Sequence, residues 1–326
     1  MKRIAFVLAA MAAWFAAVPT FAANIEPFST LCSRQWRRLD FSCPARENDI
    51  LIEGEINPGD ARKFERVVRG IGRRVGTVVL RSPGGSVPDA MAIGRLVRQL
   101  MLETDGPGFS GENEGATCQP EGGHPNTVCV CASACFLIYA GGFPRDVSYV
   151  LLHRPFVDPS VNAGMGYDQS MLLASQARKE VAEYLREMGV PDRYANILFS
   201  TPSNTAVHVP LSDMRNAFAG YPPEVEEWLM AKCQTISTGQ AEQRFAEESA
   251  REATRQGYRI EDSLAINTHV MRGICVDDAL KSKRAAVRAE WFGPVTDAEK
   301  MRDEEAKRKT QAFLAFMRSI KEGAKP

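Results

Sequence analysis

The sequence has no excess of either charge, and it has no long apolar run beyond its first residues. Its 326 residues include 40 Lys and Arg and 40 Asp and Glu, so the formal net charge is zero. Nucleic-acid-binding proteins normally carry a basic excess, so the composition argues against that class. No segment after residue 22 has the roughly 20 apolar residues that a membrane span needs. The length and the 44% hydrophobic content predict about two domains with a substantial core.

The first 22 residues predict export. Residues 1–3 are Met, Lys and Arg, and an apolar run follows from Ile4 to Val18. Small residues, Thr20 and Ala22, occupy the −3 and −1 positions of a cut after Ala22, which completes the pattern of a secretory signal peptide. An uncleaved anchor is the alternative, but the run is shorter than a spanning helix requires. We therefore expect a periplasmic or secreted protein with no membrane span after cleavage.

All eight cysteines follow the predicted signal peptide, and an even number in an oxidising compartment indicates disulfides. Proximity along the chain suggests Cys32–Cys43, Cys233–Cys275, and Cys118 with either Cys129 or Cys131. A metal site built on Cys129, Cys131 and Cys135 is the competing interpretation. Their spacing is not the usual C-x-x-C, and the segment is typical of a buried strand entering a helix, so we expect no metal.

Strand-like and helix-like segments alternate from residue 49 to about residue 220, which predicts an α/β domain with a mostly parallel sheet. Before this domain, residues 23–48 are expected to form an irregular cap. Within it, residues 104–127 hold no apolar run and are expected to form a loop insertion. Beyond it, residues 221–326 are expected to be a helical C-terminal region, with helices over 240–256 and 296–321. Thr296 and Glu299 suggest a capping box at the last of these helices.

Three segments of this domain could carry chemistry. A strand ends at residues 82–87, where Gly84 and Gly85 leave backbone N–H groups free to turn toward a site and stabilise an oxyanion. Ser133 begins a buried helix, so its hydroxyl lies near the positive end of the helix dipole. His153 ends a later strand, and histidine is the usual general base near neutral pH. Each signal alone is weak, because such a turn or a helix-capping serine is common.

Together these segments resemble the ClpP/crotonase superfamily, in particular the proteolytic subunit of Clp protease. The matching stretches are the SPGGSV turn at 82–87, ASACFL at 132–137 and LLHRP at 151–155. The order and spacing agree over about residues 50–220. The chain is most similar to secreted ClpP-like proteins with a C-A-S-A-C segment. The resemblance implies a spiral ClpP-like core of mostly parallel sheet, with Ser133 as nucleophile and His153 as base. The oxyanion hole would be formed by the amides of Ala134 and of Gly85 or Gly84.

The sequence departs from the family pattern at three places. Ser133 and His153 are 20 residues apart, somewhat closer than usual, so the intervening hairpin must be shorter. Cys135 stands where the family segment has a glycine. The expected acid position after Gly189 is not clearly occupied, and we consider Asn196, Ser200 and Thr201 as third members that would orient His153. A serine–lysine mechanism, known in the same superfamily, would use Lys179, although a solvated lysine is the simpler interpretation. The remaining histidines, His124, His208 and His269, are expected in loops or on the surface, and His208 could instead line the cleft.

Two functional hypotheses follow from these features. The first is an exported serine peptidase or acyl hydrolase that acts on short peptides or unfolded protein, needs no metal or organic cofactor, and forms a homo-oligomer as its relatives do. The second is a catalytically silent ClpP-like module that binds a peptide or a partner. The retained serine, histidine and glycine turn favour the enzyme. The unfilled acid position and Cys135 favour the silent module. A crotonase-type acyl-CoA enzyme is disfavoured by export and by the lack of a basic cluster.

Overall fold

The computed structural model describes residues 23–28, 48–110, 115–117, 129–155, 163–255 and 264–301, together with residues 304, 305 and 308. The predicted signal peptide lies outside the described residues. So do Cys32, Cys43, Cys118 and His124. The predictions for these residues therefore stay predictions.

The largest sheet has four strands in the order in which they occur along the chain. Strands β2, β3 and β4 are parallel, and β1 pairs antiparallel with β2. Strand β1 falls within the region expected to be an irregular cap; its five residues include Pro27, which is tolerated because β1 is an edge strand. The four strands are β1 (Asn24–Phe28), β2 (Asp49–Glu53), β3 (Thr77–Arg81) and β4 (Glu103–Asp105).

Two amphipathic helices cover this sheet, α1 (Asp60–Ile71) and α2 (Val87–Gln99). The helix α1 begins at Asp60, and Ser86 directly precedes α2. The Ser86 hydroxyl accepts from the Asp89 N–H at 3.4 Å and caps α2. The Asp89 carboxylate in turn accepts from the N–H groups of Gly59 and Ala61 at the start of α1. The side chain of Asp89 therefore joins the starts of the two helices and holds the turn that precedes α2.

A second, three-stranded sheet carries the remaining candidate segments. Its strands are, in order, β7 (Cys131–Ala132), β8 (Val150–Leu152) and β9 (Val207–His208), with β7 parallel to β8 and β9 antiparallel to β8. All seven side chains of the helix after β7 are buried, as expected for a helix at the centre of a domain. The described helices between these strands along the chain are α3 (Ala134–Ala140), α4 (Tyr167–Glu187) and α5 (Asp192–Ser200).

The expected loop insertion at 104–127 is partly wrong. Its first residues complete β4, and the strands β5 (Gly108–Ser110) and β6 (Gly115–Thr117) form an antiparallel pair. These strands have only three residues each and contain glycine or charged residues. They therefore show neither an apolar run nor the alternation by which a strand is predicted from sequence.

The described part of the C-terminal region contains the helices α6 (Pro223–Cys233), α7 (Thr238–Ala253) and α8 (Leu264–Phe292). Most of the predicted helix over 296–321 lies outside the described residues. Residues 297–301 are helical too, and the predicted capping box is present: the Thr296 N–H donates to Glu299 at 2.8 Å, and the Glu299 N–H donates to Thr296 at 3.2 Å. No described helix is both long and apolar enough to cross a membrane. A second buried apolar cluster joins these helices to the preceding domain; it consists of Met101, Phe143, Tyr221, Leu229, Val276 and Leu280.

The disulfides confirm one prediction and correct another. Cys233 and Cys275 are bonded and join α6 to α8. Cys131 is bonded to Cys135, so the predicted alternative of Cys118 with Cys131 is wrong. The pairing follows from local geometry, because the strand-to-helix turn brings the two Cα atoms to 5.2 Å, within the range for a disulfide. Cys129 is disulfide-bonded as well. These bonds suit an oxidising compartment.

Candidate active site around Ser133

Ser133 occupies a sharp turn between β7 and α3. Its backbone has φ 55° and ψ −120°, a conformation that residues other than glycine rarely adopt. The turn is held on both sides, since the Ser133 N–H donates to the Leu151 carbonyl at 3.1 Å and the Ser133 carbonyl accepts from the Phe136 N–H at 3.0 Å. Such strained residues persist only where the surroundings fix them, and they cluster at functional sites. A strained serine between a strand and a helix is the arrangement known as a nucleophile elbow.

Gly84 lies directly against this turn. A Cβ at position 84 would sit 2.7 Å from the Ser133 Cβ and 2.8 Å from the Ala132 carbonyl oxygen, and the Gly84 φ is 109°. Only glycine satisfies both the backbone conformation and the close approach. The Gly84 N–H donates to the Ser82 hydroxyl at 3.1 Å. Gly84 therefore sets the shape of the site, but its own amide is already occupied.

Two other amides beside Ser133 have no acceptor among the described residues. Ile56 donates to the Gly84 carbonyl at 2.8 Å and accepts from the Ser86 N–H at 2.7 Å. Gly85 lies between Gly84 and Ser86 in this parallel pairing, so its N–H points away from Ile56. Ala134 is the first residue of α3, and the first N–H groups of a helix have no partner within it. The Gly85 and Ala134 amides are thus available to an added acceptor.

The structure brings His153 to the same edge of the second sheet as Ser133. Ala132 pairs with Leu151 in neighbouring parallel strands, so Ser133 lies one residue beyond this pair and His153 two residues beyond it. Both side chains are half-buried. The described contacts include no direct hydrogen bond between them, and such bonds are often long before substrate binds.

The His153 ring is oriented by main-chain groups. Its Nδ1 lies 3.1 Å from the Arg154 carbonyl oxygen, which can only accept. A hydrogen bond between these two atoms therefore requires the tautomer in which Nδ1 carries the proton and Nε2 is free to accept one. The Arg154 N–H donates to the Thr201 carbonyl at 3.0 Å. The end of α5 therefore fixes the main chain that follows His153. Sequence inspection missed this contact, because a backbone carbonyl leaves no residue-type signal.

The three candidates for the third member occupy different surroundings. Thr201 is buried and donates its hydroxyl to the Ile197 carbonyl at 2.8 Å. Ser200 is exposed and donates to the same carbonyl at 3.2 Å. Asn196 is also exposed and lines a groove between α4 and α5 with Arg178 and other residues. Of the three, Thr201 is the one whose main chain contacts the residue after His153.

The alternative bases lie in other environments. Lys179 is on the exposed part of α4, where its ammonium lies 3.9 Å from the Glu183 carboxylate and its side chain is 78% exposed. His269 is exposed on α8 and packs its ring 4.7 Å from that of Phe245. Neither residue is near Ser133 in any described contact.

His208 belongs to an aromatic row beside the site. It pairs with Leu151 across β8 and β9, and its ring stacks on that of Tyr149 at 5.7 Å with an interplanar angle of 10°. The Tyr149 ring in turn meets Phe109 edge to face at 5.5 Å. Tyr149, Leu151 and His153 occupy alternate positions, which places them on one face of the strand that leads to the site.

A separate cluster of carboxyl groups lies on β4 and nearby. Burial, followed by the neighbouring Asp146 and Glu103 carboxyls, raises the pKa of Asp105 from its ordinary 3.8 to about 7. Burial also raises the pKa of Asp146 and of Glu103. Asp105 and Asp146 share a side-chain hydrogen bond, which requires that one of the two be protonated.

No family model matches the chain, and a search of curated proteins finds no match. Among the described residues, no group of three or more His, Cys, Asp or Glu is arranged to hold a metal ion.

Proposed function

We propose that the chain is an exported ClpP-like serine hydrolase in which Ser133 is the nucleophile. The conformation of Ser133 carries the proposal: a serine with φ 55° and ψ −120° between a strand and a helix, beside two unoccupied amides. Strain of this kind costs about 1 to 3 kcal/mol and is not needed merely to begin a helix. Gly84 supports the same conclusion, because the absence of a Cβ at this position allows Ser133 to lie directly against it. The motif order supports a ClpP-like spiral core, within the mixed α/β architecture described above.

The proposed reaction follows the serine-hydrolase scheme. His153, unprotonated on Nε2, removes the proton of the Ser133 hydroxyl, and the Ser133 oxygen attacks a carbonyl carbon. The Gly85 and Ala134 amides donate to the oxyanion. The protonated His153 then gives its proton to the leaving group, and water releases the acyl group from Ser133. In this scheme the Arg154 carbonyl orients His153, where a carboxylate does so in a Ser-His-Asp triad.

The proposed substrate is a short or unfolded peptide. The edge strand β9 and the aromatic row of Phe109, Tyr149 and His208 lie beside the strand that ends at His153, and such a surface suits an extended chain with apolar side chains. The first part of α4 exposes apolar residues, with Tyr167 79% and Leu172 60% exposed. This exposure supports self-association of the chain.

Labelling with a fluorophosphonate probe tests the proposal. The purified, oxidised protein is treated with the probe and compared with Ser133→Ala and His153→Ala, with intact mass and peptide mapping as readouts. We expect one label per chain at Ser133, and none in either variant. His269→Ala is the matched control, because this histidine is exposed and distant in the described contacts, and it should be labelled like wild type.

The silent-module hypothesis makes the opposite prediction. A well-folded wild type that takes up no label would exclude an activated Ser133 and favour a module that binds a peptide or a partner. Labelling that persists in Ser133→Ala would place the nucleophile elsewhere in the chain.

A further inference from the structure

The Cys131–Cys135 disulfide brackets Ser133. One half-cystine is in β7, two residues before the serine, and the other is in α3, two residues after it. Both cysteines are fully buried. The bond thus spans the strand, the strained residue and the first turn of the helix.

This disulfide closes a short ring. A stabilising effect on the whole fold grows with the length of chain enclosed, because a disulfide acts chiefly by restricting the unfolded chain. Cys131 and Cys135 are four residues apart, whereas Cys233 and Cys275 are 42 apart. The short disulfide therefore restricts the unfolded chain less than the long one does. Its larger effect is local, on the angle at which β7 enters α3.

The turn at Ser133 needs such a restraint. A residue other than glycine at φ 55° tends to relax to negative φ unless its neighbours prevent it. The hydrogen bonds of Ser133 hold the two sides of the turn, but each can be exchanged for water. A covalent link between positions 131 and 135 keeps the ends of the turn together even when these hydrogen bonds open transiently.

We propose that Cys131 and Cys135 are positioning residues, whose disulfide holds Ser133 in its reactive conformation. The inference rests on the proposed function for its catalytic consequence. Cys135, which departs from the glycine of the family motif, is on this view part of the device that makes Ser133 reactive. The disulfide takes no part in the reaction and exchanges no electrons with the substrate.

The test removes each disulfide in turn. The double variant Cys131→Ser/Cys135→Ser is compared with Cys233→Ser/Cys275→Ser, which also loses one disulfide but at a distance from the serine. Second-order rates of fluorophosphonate labelling are measured on oxidised samples whose circular dichroism and elution volume match wild type. We expect the labelling rate of Cys131→Ser/Cys135→Ser to fall about 30-fold, because Ser133 is no longer held in its strained conformation. The control variant should stay within about threefold of wild type, as expected for a change remote from the site.

Hydrogen exchange of the peptide covering residues 131–140 gives a second readout that needs no activity. Its amides should exchange faster in Cys131→Ser/Cys135→Ser than in wild type, and unchanged in the control variant. A reactive Ser133 with equal labelling rates in wild type and Cys131→Ser/Cys135→Ser would overturn the inference. If wild type takes up no label, the proposed function fails, and hydrogen exchange alone decides: unchanged exchange overturns the positioning role, and faster exchange supports it.

Discussion

Gly84 and Ser133 approach each other so closely that a methyl group at position 84 would lie 2.7 Å from the serine Cβ. Real Cβ atoms are not found at this distance from one another, so one of the two segments would have to move. Gly84 belongs to the turn after β3, and Ser133 belongs to the turn after β7. The contact therefore links the turn that carries Gly84 to the turn that carries Ser133, although the two residues are 49 positions apart in the sequence.

Gly84→Ala should abolish most of the reactivity of Ser133. The methyl group would push the serine from its position, and a displacement of about 1 Å can cost roughly 100-fold in rate. The positive φ of Gly84 adds strain to the variant. The measurement is the rate of fluorophosphonate labelling in a sample that remains folded.

Gly70→Ala serves as the control for this experiment. Gly70 is exposed in α1, and a Cβ there meets nothing within 4 Å. Alanine should stabilise the helix by up to about 1 kcal/mol and leave labelling unchanged. Equal labelling of Gly84→Ala and wild type would mean that the contact does not determine the reactivity of Ser133.

Alanine substitution of each third-member candidate should have a small effect. His153 is oriented by the Arg154 carbonyl, a main-chain group, so the loss of the side chain of Asn196, Ser200 or Thr201 leaves that contact in place. We expect each variant to keep at least about one tenth of the labelling rate, whereas removal of the aspartate from a Ser-His-Asp triad costs about 10⁴-fold. Labelling rates of the three variants, beside His153→Ala, decide the point. A loss of 100-fold or more in one variant would identify that residue as the missing member.

Much of the candidate site could be recognised from sequence, because its components are short motifs of distinctive residues. A double glycine after a strand, a serine before an apolar helix and a histidine at a strand end were each recognisable along the chain. The bond between Cys131 and Cys135 was not predicted, since two cysteines four residues apart are bonded only if the chain turns sharply between them. The contact of Arg154 with Thr201 was not predicted either, because it depends on main-chain atoms of distant segments.

The fold, like the site, has parts that could be predicted from sequence and parts that could not. The alternation of strands and helices over residues 49–220 was predicted, because buried strands and one-sided helices leave different apolar patterns in the sequence. The short strands β5 and β6 were missed. No separate helix was predicted at α8, although the C-terminal region was expected to be helical. Strands of three residues are too short for alternation to show. In α8 the apolar residues are distributed around the helix rather than along one stripe, so the sequence shows no helical periodicity by which to predict it.

Stability should fall as the pH rises from 5 to 7. The pKa of Asp105 is about 7 in the folded protein, whereas the ordinary value is 3.8, so over this window the folded state holds a proton that the unfolded state has lost. The stabilisation is complete below the ordinary pKa and is lost as the pH passes the raised one. We expect a loss of about 1 kcal/mol per pH unit.

Urea denaturation at pH 5, 6, 7 and 8 measures this dependence, with Asp105→Asn as the comparison. The amide of the variant can donate to Asp146 without a titrating proton, so its stability should change less between pH 5 and 7 than that of wild type. Equal slopes in the two proteins would show that Asp105 is not the group responsible.

Loss of the Cys233–Cys275 disulfide should lower stability without lowering reactivity. The bond joins α6 to α8 across a sequence separation of 42 residues. Because it restricts the unfolded chain, it should contribute about 4 kcal/mol to the free energy of unfolding. Val276 lies in the apolar cluster beside this bond, and the cluster should keep the helices attached after the bond is removed. Urea denaturation of Cys233→Ser/Cys275→Ser should therefore show a lower midpoint, while its labelling rate at Ser133 stays near that of wild type. A parallel fall in labelling at urea concentrations where the variant is still folded would mean that α6 and α8 help to shape the site around Ser133.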